Sequence, residues 1–161
     1  MLEAIPLVAR DSAAFGVLDL LADATNVILI VWLLAVLIVG TKRQVLNGKD
    51  WLVVALSIAV VYVVKTLDGK LHFWDRIHLN YSTHSALAIT VVLALCFFDR
   101  PRRAVAIAVF VFYGVLQMLL GFHSLLDILT TLMVVVPMVL LCLRLITPRL
   151  RQAKTSEIEI S

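Results

Sequence analysis

The chain has 161 residues, 62% of them hydrophobic, with a mean hydropathy of +1.03, far beyond the roughly half-apolar makeup of a soluble domain. Such a composition excludes a soluble globular enzyme, and a formal charge of only +3 gives no ground for a nucleic-acid partner. The expectation is an all-α integral membrane protein of one domain, in which any active site is assembled from helix ends and short connections.

Residues 1–25 mix Leu2, Ile5, Leu7, Val8, Phe15, Leu18 and Leu21 with Glu3, Arg10, Asp11, Asp19 and Asp23, and no basic region precedes an apolar core as in a cleaved signal peptide. This pattern predicts an amphipathic segment lying in the membrane interface. A membrane-embedded helical bundle then fills 26–146. Its first span runs from about Asn26 to Gly40, borrowing from Leu20 to Thr25 if it is to reach the ~20 residues a crossing needs. A basic connection with Lys42, Arg43 and Lys49 leads to Trp51, an interface residue that opens a second span reaching Lys65 or Thr66.

The longest polar connection is expected over 65–81 and holds His72 and His78, with His84 just beyond. Spans three to five are expected over Ser82 to Phe98, Ala104 to Gly121 and His123 to Ile146, the last with a kink at Pro137, and a polar cytoplasmic tail occupies 147–161. The count is five transmembrane helices, or six if residues 1–25 cross the membrane. Cys96 and Cys142 both fall inside apolar runs, where cysteine acts as a small hydrophobe.

Lysine and arginine follow the odd-numbered spans: Lys42, Arg43 and Lys49 after the first, Arg100, Arg102 and Arg103 after the third, Arg144 and Arg149 at the end of the fifth. The positive-inside rule assigns that side to the cytoplasm of, in all expectation, a bacterial inner membrane. His84, His123 and the 65–81 connection then meet on the extracytoplasmic face. On a helix, His123 and Asp127 are about 40° apart on one face, so that a carboxylate stands one turn from an imidazole. Such a pair is either a satisfied buried couple or a base held by an acid, and a carboxylate within a membrane segment is usually retained for function.

Tyr81-Ser82-Thr83-His84 at the start of one span and Gly121-x-His123-x-x-x-Asp127 at the start of a later one resemble the second and third motifs of the type 2 phosphatidic acid phosphatase superfamily, the membrane lipid phosphate phosphatases. Lys65 stands where the first motif has its lysine, and His72 where it has arginine; Gln117, Leu116, Tyr81 and Thr83 replace the arginine and serine of the third motif and the proline and glycine of the second. The resemblance implies a metal-independent, cofactor-free hydrolase acting on a membrane lipid phosphate. His123 would be the nucleophile, Asp127 would orient it, and His84 would be the acid and base. Lys65, Ser82, His72, Thr83 and Gln117 would surround the phosphate, with Lys70 and Arg76 as accessory charge. It equally implies two alternatives: a lipid headgroup transferase, or a silent relative serving as an assembly partner. Each residue also has an ordinary reading: Ser82 as a helix N-cap, Lys65 as a snorkelling span end, His84 as a solvated interface histidine, Trp74 and Tyr81 as interface anchors. The spacing of His72, His78 and His84 spreads them around a helix axis and gives no zinc set.

Overall fold

The computed structural model describes residues 9–10 and 12–146, so the expectations for residues 1–8 and 11 and for the tail 147–161 lie outside the described residues. The fold is all-helical, with no strand among the described residues: α1 (Ala13–Lys42), α2 (Gly48–Leu71), the single turn α3 (Phe73–Arg76), α4 (Thr83–Phe98), α5 (Arg103–Leu119) and α6 (Leu125–Ile146). Four of these, α1, α2, α6 and α5 with the turn before it, are long and apolar enough to cross a membrane. The 16 residues of α4 rise only about 24 Å, short of a ~30 Å hydrocarbon core.

Helix α1 starts at Ser12, whose hydroxyl accepts the Phe15 N–H at 3.2 Å, and runs without a break through 25 and 26. Nothing in that stretch stops it: there is no proline, and Ala22, Thr25, Leu29, Leu33 and Leu37 recur at three- to four-residue spacing as one buried stripe. Residues 13–25 are therefore continuous with the first apolar run. Helix α2 is fixed by a reciprocal cap, the Asn47 side chain accepting from Lys49 N–H while Asp50 accepts from Asn47 N–H at 2.7 Å. It continues to Leu71, so Lys65 and Lys70 are helical and do not belong to a connection. It ends where His72 turns left-handed at φ 50°.

The short helix α4 lies at the centre, packed by α1 and α5 on one flank and by α2 and α6 on the other. Ser85, Ala86, Ala88 and Ala94 are buried on it, small side chains that let neighbouring backbones approach. The core divides accordingly into one cluster built by α1, α4 and α5 with Val54 of α2, and a second built by α2, α4 and α6. Lipid-sized side chains point outward, Val27, Ile28, Val31 and Met133 among them.

Polar bonds tie the two ends. At one, Trp74 Nε1–H donates to Thr130 Oγ1 at 3.1 Å and Tyr81 O–H to the Val61 carbonyl at 3.1 Å, which joins the connection after α2 to α6 and back to α2. Trp74 is buried, a structural wedge and not a surface anchor. At the other end Asp99 accepts from Trp32 Nε1–H at 3.2 Å and Arg102 at 3.1 Å. Lys42, Arg43, Lys49, Arg100 and Arg103 lie at the helix ends and in the turns of this second end.

Candidate functional site

The first end holds a cavity of about 370 Å³, within the range of small-ligand sites. Its walls come from four places. Helix α1 contributes Asp19 and Asp23, the first turn of α4 His84, the last turns of α5 Tyr113 and Gln117, and the α5–α6 connection Phe122 and His123. The two histidines that the sequence separates by almost forty residues thus share one chamber.

Local chain chemistry explains how His123 reaches it. After α5, Gly121 adopts φ 67°, and two backbone bonds close the helix: Gly121 N–H to the Met118 carbonyl at 3.1 Å and Phe122 N–H to the Gln117 carbonyl at 3.0 Å. This is a Schellman termination, and its left-handed residue is one that glycine adopts freely. Phe122 packs edge-to-face on Phe15 of α1, ring centroids 6.1 Å apart. Ser124 then caps α6, its hydroxyl accepting Asp127 N–H at 3.2 Å while Asp127 Oδ2 accepts Ser124 N–H at 2.8 Å. His123 therefore sits between two helices and not on one.

Asp127 has more to hold than a histidine. Its Oδ1 accepts the Asn80 N–H at 2.7 Å, pinning the α3–α4 connection to the start of α6, so both carboxylate oxygens are engaged by backbone N–H groups. No hydrogen bond joins it to the His123 ring, whose Nδ1 is buried without a partner, leaving Nε2 as the nitrogen presented to the cavity. Burial pushes the His123 pKa below its usual 6.5; the Asp127 charge acts upward against this, and His84 adds to the lowering. The imidazole is thus held neutral, with a carboxylate near enough to be felt.

Ser82 is buried and caps α4, its hydroxyl donating to Ser85 Oγ at 2.8 Å while its N–H bonds Thr131 Oγ1 at 3.1 Å. Thr83 follows it as the first residue of α4, outside the cavity lining. Lys65, Lys70, His72 and Arg76 are exposed on or just after α2 and do not line the cavity, and His72 is paired with Asp75 at 3.1 Å. Of the residues expected around a phosphate, Gln117 alone is brought to the histidines.

Sequence reading missed Asp19, Asp23 and the asparagine behind them: Asn26 Nδ2–H donates to the buried Tyr113 hydroxyl at 2.8 Å. The signal was available, since 19, 23 and 26 recur at helical spacing alongside the buried stripe of α1. Among the described residues no group of three or more His, Cys, Asp or Glu side chains is close enough to hold a metal ion. Comparison with protein-family models, with curated proteins and with solved structures finds no match to this chain.

Proposed function

We propose that this is a membrane enzyme of the lipid phosphate phosphatase type, transferring a phosphoryl group from a membrane lipid through His123. The observation that carries the reading is the meeting of His84 and His123 in one cavity at the rim of an apolar bundle, on the two motifs whose residues resemble that superfamily. Neutral His123 attacks phosphorus through Nε2, and the bond from phosphorus to the lipid oxygen breaks. His84 gives its proton to the departing alkoxide and later takes one from the water or membrane alcohol that displaces the histidine. The Asp127 charge stabilises the cationic ring formed in between, without a direct bond in the resting enzyme. The unpaired N–H groups at the start of α4, where His84 stands, and the Gln117 carboxamide face the phosphate oxygens. The cation-rich end of the bundle lies on the cytoplasmic side of a bacterial inner membrane, and the cavity opens to the extracytoplasmic face.

The test is turnover of a panel of phospholipids and lipid phosphates by the purified chain in detergent, read as lipid alcohol or phosphate released. Wild type turns over at least one member, His123→Ala abolishes the reaction, and His84→Ala slows it by roughly 10²–10⁴. Undiminished release by His123→Ala, or no turnover by wild type, contradicts the assignment.

A further inference from the structure

The charge of the cavity wall does not suit a phosphate monoester. Asp19 and Asp23 stand one turn apart on α1 and make no ion pair or side-chain hydrogen bond among the described residues. No lysine or arginine lines the chamber. A dianion seated between the histidines would face two carboxylates without a countercharge, an arrangement that costs affinity. The same wall is suited to a cation attached to the phosphate.

A second, independent feature marks this wall as a ligand surface. Gln117 is only 4% exposed, lines the cavity, and its carboxamide has no hydrogen-bond partner among the described residues. Its polar atoms open on the chamber and not on the protein interior, where a bound polar group can pair with them. Beside it the Tyr113 hydroxyl accepts from Asn26, which leaves its own proton free to donate.

We infer that the substrate is a phospholipid whose headgroup carries an ammonium, seated with its phosphate at His84 and His123 and its ammonium against Asp19 and Asp23. This rests on the phosphoryl-transfer reading above and narrows it to a phosphodiester. His123 Nε2 bonds to phosphorus as the bond to the glycerol oxygen breaks, and that oxygen takes a proton from His84. The acyl-bearing alcohol leaves into the bilayer while the carboxylates hold the amine-bearing headgroup on the histidine. Water or a membrane alcohol, losing its proton to His84, then carries the headgroup away.

The probe pair is phosphatidylethanolamine and phosphatidylethanol, two diesters of the same phosphate charge that differ in the ammonium, with phosphatidic acid as the monoester. In mixed micelles, wild type favours phosphatidylethanolamine over phosphatidylethanol by about tenfold in kcat/KM, the scale of one charge-assisted contact. In Asp19→Asn/Asp23→Asn that ratio falls to within about twofold of unity. Because the ratio is internal to one sample, a partly unfolded variant does not distort it. Retention of the two lipids by His123→Ala, read by native mass spectrometry, gives the binding preference without turnover. Equal retention, a wild-type ratio near one, or a ratio unchanged in the double variant overturns the ammonium assignment and leaves His123-dependent transfer standing. Ammonium-selective retention with no turnover by wild type overturns the transfer reading instead.

Discussion

His123 and Asp127 are the residues on which sequence and structure divide the work differently. Four positions apart, they read as an imidazole and its acid on one helical face, yet the helix begins at Leu125 and Ser124 takes the carboxylate as its capping partner. The pattern Ser-x-x-Asp before an apolar run carries that cap in the sequence, where the more conspicuous histidine hides it. Asp127→Asn keeps one acceptor oxygen and turns an NH₂ toward a backbone N–H, so it should lower stability by about 1–3 kcal/mol. Thermal unfolding in detergent reads this directly, and an unchanged midpoint with activity lost would mean that the carboxylate serves the imidazole alone. The pH dependence follows from burial of His123, which holds its pKa below 6.5 in the folded chain. The neutral ring persists as pH drops past 6.5, so the acid limb of kcat/KM lies below that value. A limb at or above 6.5 would show a solvated histidine. Because the unfolded chain binds that proton more readily, this group erodes stability as pH falls from 6.5 toward the folded pKa.

At the level of helices, the five apolar segments were legible because their hydrophobic runs are long and their ends are marked by charge, as at Lys42 and Asp99. Their boundaries were less so. Helix α2 overruns its expected end because Lys65 to Leu71 contain no proline and Gly69 stays within the helix, so that the chain turns only where His72 becomes left-handed, which removes Lys65 and Lys70 from the connection. The flank on which each helix packs is not written in composition at all. For that reason the lysine expected from the first motif is absent from the cavity lining, and Asp19 and Asp23 enter it unannounced because α1 carries residues 13–25 without a break into the first apolar run. Gly121 joins two of these helices at the site. Gly121→Ala forces a Cβ into a left-handed backbone at φ 67°, at a cost of roughly 1–2 kcal/mol. Since the same turn aims His123, kcat should fall together with the unfolding midpoint; full activity in this variant would mean that the turn does not position the ring.

The whole molecule is a bundle with unlike ends: one stitched by Trp32, Asp99 and Arg102 and ringed with cations, the other open in a chamber that gathers α1, α4, α5 and the start of α6 around two imidazoles. A small polar chamber at the rim of an apolar body would let a lipid present its headgroup while its chains stay in the bilayer, which is the physical reason the proposed chemistry suits span ends. The most direct trial is to mix the full-length protein rapidly with a phospholipid substrate, quench in base, where a phosphohistidine survives, and map the modified residue by mass spectrometry. A phosphoryl or phosphodiester adduct on His123, absent from His123→Ala, is the expected result. Substrate turnover with no adduct on His123, or with the adduct on another residue, would contradict it.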